Sequence, residues 1–538
     1  VIQRRAFLGG AALLAAGTLA GCGGAKQADK NSSTANQAVK LPTYAAFAGV
    51  TPDLAGSADG IRPAFLTYPS ERPDSVPEKP GSGGTYRAMV NIYEPLPPGP
   101  DKNKLWQAIN DKLGVNLELT MVPAGEYGQK LATTLAGNEL PDFMLLYGVP
   151  NLPRLLKAKF ADLTELLSGD AIKEYPNLAN IPSQAWKNCV YNGAIYGVPL
   201  PRAKIGTGPF IRADIAKKAG MSPQPKSFEE FHELAKAVTD PKQRRWAFSN
   251  ASYPLTITRV MLNAPNGWRE DGGKLTHVNE TEEQRKALDV AARFWKEGLV
   301  HPDAFGSGVP FLEWFSAGTT VIQPDGYVSW FYYVKNNVNN PTFELDYMRI
   351  PGYDGGEGRI AAGRPSFMDG LTAFKQADKE KLREQLRIAN WLAAPFGTAE
   401  YHLRVYGVEG THHTVSKSGD PTLTSAGSAQ TTVPFRFVTE APSAIYQPGR
   451  PHDAELQHAY ETAVVPKAIL NPVVGAYSDT QASKGPTIDG KLADTQSEVI
   501  QGRKSLQDWD SAVAAWRQAG GDQIRTEYED QLQKQGGT

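Results

Sequence analysis

Between Thr85 and Gly148 apolar runs alternate with amphipathic stretches, and this alternation limits the chain to few architectures. TYRAMVNIY (Thr85–Tyr93) reads as a strand, and a Pro-rich loop and a helix across Lys104–Leu113 follow it. VNLELTMVP (Val115–Pro123) is a second strand, Gln129–Ala136 a second helix, and PDFMLLYG (Pro141–Gly148) a buried third strand. Strands separated by helices of about 10 residues predict a parallel sheet in an α/β lobe. Ligands of such sheets sit beyond the carboxyl ends of the strands, where Tyr93, Glu94 and Tyr147 fall.

The rest of the chain continues in the same style. YNGAIYGVPLPRA (Tyr191–Ala203) carries Asn192-Gly193 between apolar runs, a strong hairpin signal. A second α/β region opens at GPFIRADIAKKAG (Gly208–Gly220), whose Gly220 ends a helix. KSFEEFHELAKAV (Lys226–Val238) begins with Ser227 as N-cap and Glu230 three residues on, a capping box. Helices are also predicted at Thr281–Gly298, at Lys379–Pro395 and in the C-terminal segment, with no internal repeat.

A length of 538 residues is too great for one domain of ordinary size and allows two or three. The formal net charge of −1 shows no commitment to nucleic acid, so a nucleic-acid partner is not expected. Val1–Ala20 has paired arginines, Arg4 and Arg5, followed by small and apolar residues from Ala6, and ends at LAGC (Leu19–Cys22). That order is an export signal, too short to span a bilayer. LAGC resembles a bacterial lipobox, which implies cleavage after Gly21 and a lipidated Cys22; QRRAFL (Gln3–Leu8) resembles the twin-arginine motif of chains exported already folded. Val1 in place of methionine suggests a literally translated GTG start codon.

The chain has two cysteines, so lipidation of Cys22 leaves Cys189 with no disulfide partner and predicts a small apolar core residue. Residues 22–84 are rich in Gly, Ser, Pro, Asn and Ala and read as a lipid-anchored tether, with Phe47, Phe65 and Tyr68 strapping onto the folded body.

FADLTELL, NGAIYGVP, FIRADIAKKAG followed by PKSFEEF, and FWKEGLVHPDAF (Phe294–Phe305) stand here in the order found in the substrate-binding lipoproteins of ATP-binding-cassette importers. The chain resembles extracellular solute-binding family 1, whose members take mainly sugars. YGVEGTHHTV (Tyr406–Val415) and GRKSLQDWDSAVAAWRQAGGDQIRTEYE (Gly502–Glu529) resemble one lipoprotein branch of it, and the resemblance spans Thr85–Leu532. It implies an α/β, two-lobe periplasmic-binding-protein-like fold, a hinge of crossing strands and a ligand cleft between the lobes. Carried onto this sequence, the first lobe takes 85–201 and 370–440, and the second takes 202–369 and most of 441–538. The crossings fall near Leu200–Lys204 and Ala362–Leu371.

The resemblance also implies a carbohydrate cargo, an ATP-binding-cassette permease with a separate ATPase as partner, an extracytoplasmic monomer and no covalent chemistry. No cofactor is expected, and SPQPKSFEEF after Met221 lacks the run of oxygen ligands with which some relatives hold calcium.

A pyranose needs aromatic faces to stack on and planar polar groups at its rim. The first-lobe candidates are Tyr93, Glu94, Tyr127 and Tyr147. In the second lobe the resemblance places a stacking residue on or near Tyr327 and Trp330 within GYVSWFYY, and another at Tyr253. Trp268, in PNGWRED, ranks lower. Arg202 and Arg364 lie at the two crossings, where an arginine fork takes two hydroxyls or one carboxylate. Arg202, Arg364 and Arg404 would equally serve a peptide or acidic-sugar receptor, the main alternative; a lipoprotein glycosidase would need a carboxylate pair that the sequence does not identify. His412-His413 reads as a surface turn rather than a metal site.

Overall fold

The computed structural model describes residues 31–536 except Ser32, Asn138, Ser307, Gly308 and Val338. The expected export signal and Cys22 lie outside the described residues.

The expected first lobe is built on a five-stranded sheet in the order Asn116–Pro123, Thr85–Ile92, Phe143–Leu146, Ser366–Phe374, Gly197–Pro201. Thr85–Ile92 pairs in parallel with both of its neighbours, as the strand–helix alternation predicts. Ser366–Phe374 returns from far along the chain and runs antiparallel to its neighbours, which local patterning could not reveal. Helix Lys104–Leu113 starts where expected because the Asn103 side chain accepts from the Trp106 amide at 3.0 Å, and it ends at Gly114 with φ 71°. Asn192 and Gly193 both have positive φ, the conformation that a tight two-residue hairpin demands, between Val190–Tyr191 and Ala194–Ile195.

The second sheet is small. Thr207–Arg212 lies between Ile322–Gly326 and Leu345–Tyr347, antiparallel to both. Helix Phe228–Val238 is capped by Ser227, which accepts from the Glu230 amide at 3.3 Å. The Glu230 carboxylate reaches back one residue further than a capping box requires, to the Lys226 amide at 2.9 Å. The C-terminal helices pack here too: Ile488, Leu492, Trp509, Trp516 and Ile524 share a core with Phe231, Leu255 and Phe294.

Between the sheets two segments run side by side. The Gly363 amide donates to Lys204 O at 2.6 Å and the Arg202 amide to Pro365 O at 3.2 Å. A third strand of chain joins them, with the Ala362 amide on Ile469 O and the Ile469 amide on Ile360 O. Ser366 already pairs with Pro201 in the first sheet, so the return comes earlier than the expected residue 370. Between Ser366 and Leu371 the ladder slips, and Met368 and Asp369 take φ of 52° and 54°. This bulge is closed by the Ser366 hydroxyl, which donates to Gly370 O at 2.7 Å. Gly370 is needed for the close approach, because a Cβ there would lie 2.3 Å from Leu146 O.

Residues 31–84 are more ordered than a tether. Ser33–Ala38 is helical, and the Asn31 and Asn36 side chains accept from the amides of Asn192 and Gly193 at 2.8 and 2.7 Å. Ala64–Phe65 adds a parallel partner to Ile445–Tyr446. Strand alternation sends Ala64 and Ile445 to one face, with Ala454, and Phe65 to the other, with Tyr68 and Phe396. Two residues before Ala64, Arg62 forms a buried ion pair with Glu461 at 2.5 Å and lies over the Tyr327 ring. Phe65 and Tyr68 are buried in their contact with Phe396, and the Phe47 amide donates to the Asn180 side chain at 3.1 Å.

Candidate functional site

Four aromatic side chains and an arginine meet at the carboxyl ends of the first sheet. Tyr93 follows strand Thr85–Ile92 and is 59% exposed, with its ring 6.0 Å from Phe437. Tyr147 follows strand Phe143–Leu146, and its ring stands edge-on to Phe367 at 5.7 Å. Phe367 belongs to the bulge, packs 5.2 Å from Phe437 and carries the Arg202 guanidinium over its face at 4.9 Å. The result is an apolar shelf rimmed by charge: Glu94 pairs with Arg436 at 3.6 Å, and Glu440 with Arg202 at 3.3 Å. Burial pushes the Tyr147 hydroxyl up to about 12, with Tyr93 adding to the effect, so it stays a neutral donor at physiological pH.

Four of the expected site residues are thereby brought together: Tyr93, Glu94, Tyr147 and Arg202. Tyr127 is a correction. It is fully buried beneath Tyr147, stacked on it at 5.2 Å, and its hydroxyl donates to Leu145 O at 2.8 Å, so it supports the shelf from below. Arg364 pairs with Asp369 within the bulge at 3.0 Å, on a largely exposed surface. Phe367, Phe437, Arg436 and Glu440 were missed. Phe367 lies in the bulged part of strand Ser366–Phe374, and the other three lie in a short 3-10 turn and the loop after it, none with a periodic signal.

The second lobe overturns two expectations. Tyr327 and Trp330 are core residues, 4% and 1% exposed. The Trp330 indole N–H donates to the Asp453 carboxylate at 2.9 Å, and Tyr327 donates to Gln457 O at 3.2 Å, so their polar atoms are already used. Helix Pro451–Val464, which supplies both acceptors, covers the aromatic run that density alone would place in a cleft. Trp268 is likewise buried, against His277, Trp516 and Tyr528. Tyr253 is different: it is half-buried at the first turn of helix Ser252–Met261, with its hydroxyl pushed up to about 12 by burial and by Asp325. Asp325 accepts from Tyr333 at 2.6 Å and sits one residue from the end of strand Ile322–Gly326, beside the crossing.

His412-His413 is no surface turn. Both rings are buried; His413 meets His402 at 3.0 Å, and the other His402 nitrogen meets the Tyr68 hydroxyl at 3.0 Å. Among the described residues no group of three or more His, Cys, Asp or Glu side chains is placed to hold a metal ion. Cys189 is buried as expected, and burial pushes its thiol up, so it is unreactive.

The surface also carries two hollows. One, of about 510 Å³, is walled by Glu280, Arg517, Arg525 and Glu529, which are engaged in ion pairs around it. The other, of about 430 Å³, is mostly aliphatic, with Leu135, Val149 and Leu155. Neither offers a stacking ring; the shelf offers several.

A family model described as "Bacterial extracellular solute-binding protein" matches residues 104–423. The polygalacturonan/rhamnogalacturonan-binding protein YtcQ of Bacillus subtilis (strain 168) is 26% identical over 463 residues, covering 82% of this chain and 90% of that protein. Lipoprotein LipO of the same organism is 22% identical over 476 residues, covering 82% and 91%. Among solved structures, an "HMO binding ABC-transporter associated Solute Binding Protein" from Bifidobacterium longum infantis superposes with a TM-score of 0.63 at 13% identity. It covers 85% of this chain and 99% of that one. The two-lobe α/β fold is shared.

Proposed function

The chain belongs to the bacterial extracellular solute-binding proteins, and from that premise we propose that it captures a carbohydrate outside the cytoplasm and delivers it to an ATP-binding-cassette importer. The observation that carries the reading is the shelf of Tyr93, Tyr147, Phe367 and Phe437 at the strand ends, beside the crossing segments. Aromatic faces take the C–H face of a pyranose, while Arg202, Glu94 and Glu440 supply rim groups for hydroxyls. The names of the relatives, which bind polygalacturonan and HMO, support a glycan cargo.

Lobe closure about the segments near residues 202–206 and 362–366 traps the ligand, with Tyr253 and Asp325 approaching from the second lobe. The receptor acts as a monomer, catalyses nothing, and leaves ATP hydrolysis to the importer's own ATPase. Its anchor is a lipid on Cys22, for which LAGC and the lipoprotein relative speak. Export by the twin-arginine route follows from QRRAFL.

A thermal-shift screen of the Cys22→Ser chain against mono-, di- and oligosaccharides and short peptides tests the cargo. Ligand at a hundred times its dissociation constant stabilises the folded state by about 2.7 kcal/mol, a visible rise in melting temperature. A rise with peptides alone would replace the cargo, and release of reducing sugar would make the protein a glycosidase. The same variant should leave the membrane fraction, in which the unaltered chain is retained; retention of the variant refutes the lipid anchor.

A further inference from the structure

Residues 54–64 form a finger that leaves the first lobe and grips the second. Leu54 and Ala64 close its base, the amide of each donating to the carbonyl of the other at 3.0 and 2.9 Å. Both sides of the base are held by the first lobe. Val50 on one side and Phe65 and Tyr68 on the other pack around Phe396, with Tyr401 and Tyr406 of helix Ala399–Tyr406. Leu403 of that helix packs on the core of the five-stranded sheet, and its Glu400 carboxylate accepts from the amides of Ser75 and Val76 at 2.8 and 2.7 Å.

The tip belongs to the other lobe. Ile61 packs into the cluster of Phe210 and Tyr347, residues of the three-stranded sheet, together with Tyr460 of helix Pro451–Val464. The Arg62 amide donates to the Glu461 carboxylate at 2.8 Å and the Arg62 Nε at 2.7 Å, while the guanidinium lies 4.9 Å from the centre of the Tyr327 ring. His458, on the same helix, reaches Ala55 O at 2.9 Å, and Lys204 of the crossing segment donates to Asp59 O at 2.9 Å.

Glu461 makes the grip obligatory. Its side chain is 1% exposed, and among the described residues no other side chain pairs with its carboxylate. A buried carboxylate without a counter-charge is strongly destabilising, so helix Pro451–Val464 depends on a cation that a segment rooted in the first lobe delivers. Rotation of the lobes about the crossing must carry the finger with one of them and pull it off the other. The base is secured by several buried aromatic rings and the tip chiefly by one ion pair, so the tip is the end that lets go.

We propose that residues 54–64 are a clasp between the lobes, with Arg62 as its catch. While Arg62 holds Glu461 the lobes keep the angle seen here, and departure from that angle begins with release of the pair. The clasp needs lobes that move, as read above, and no particular cargo.

Pulsed electron double resonance reads the angle without any ligand, between spin labels on Lys112→Cys in the first lobe and Lys242→Cys in the second. Both positions are exposed, and in the Cys22→Ser chain the remaining thiol, Cys189, is buried and escapes labelling. Arg62→Gln combined with Glu461→Gln removes both charges together and strands no buried ion. It should enrich separations outside the parent's main peak by about tenfold, the order of one charge-assisted contact. Lys204→Met combined with His458→Phe loosens the finger from outside the ion pair and should enrich them by about threefold. This second pair carries the test should the first fail to fold. Distances superimposable on the parent's in the folded variants would overturn the clasp and leave the receptor reading untouched.

Discussion

The shelf of the first lobe and the aromatic run of the second are made of the same residue types and do opposite things. At the shelf, Tyr93 is mostly exposed and Phe367 and Tyr147 are partly so. In GYVSWFYY, Tyr327, Trp330 and Tyr333 are buried, and every indole or phenol head group among them donates to the protein. What separates the two is the presence of a cover. Helix Pro451–Val464 closes over the second cluster and supplies Asp453 and Gln457 as acceptors, whereas the first faces the crossing. An aromatic whose polar atom is already bonded internally is a packing residue. Perturbations of the buried set should thus register in stability, and those of the exposed set in affinity.

Trp330→Ala should break the fold most. Removing a large buried side chain costs about 3–5 kcal/mol, and Asp453 keeps only Arg450 as a partner. Urea denaturation should show that loss, while the folded fraction binds its glycan within about twofold of the parent. A selective loss of affinity with intact stability would erase the distinction drawn above.

The next effect is in pH. His402 is buried against Tyr68, Arg72 and His413, and burial first, then Arg72 and His413, lower its pKa to about 3 from the usual 6.5. Below pH 6.5 the unfolded chain takes up a proton that the folded chain refuses. Stability is therefore fully present above pH 6.5 and is lost as pH falls toward 3, on the order of 3 kcal/mol by pH 4. His402→Gln should flatten that acid limb in denaturation curves taken across the range. A slope unchanged by the substitution would assign it to other groups.

Tyr93→Ala sharpens the contrast from the other side and carries the smallest effect. Stability should shift by no more than about 0.5 kcal/mol, as for other exposed positions. Glycan affinity should weaken by about 1 kcal/mol, the worth of a stacked ring, as read by calorimetry. Unaltered binding would remove Tyr93 from the site.

Much of the frame was legible in sequence because it is local. Asn103 and Gly114 bracket a helix whose limits match the expected Lys104–Leu113, and Asn192-Gly193 could make little but a turn. Tyr93 and Tyr147 were legible because a parallel sheet puts its ligands beyond its strand ends. The rest depends on contacts between distant residues. Nothing near Trp330 in sequence announces Asp453, and nothing near Phe437 announces Phe367. Aromatic density and a positional match to relatives pointed to Tyr327 and Trp330, but whether a ring is covered depends on a segment more than a hundred residues away.

The strap also bears on the order in which the molecule can be completed. Arg62 meets a partner 399 residues further along the chain, and Ala64–Phe65 pairs with Ile445–Tyr446. Contacts of such separation pay their loop-closure entropy before they return anything, and they form late. A nascent chain could collapse its first three strands early and dock residues 31–45 on residues 169–193, yet Arg62 and Ala64–Phe65 would wait for residues near 445–461. A stretch made long before its partners is then among the last to find its place. A pulse-labelling refolding experiment would register its protection after that of Thr85–Ile92.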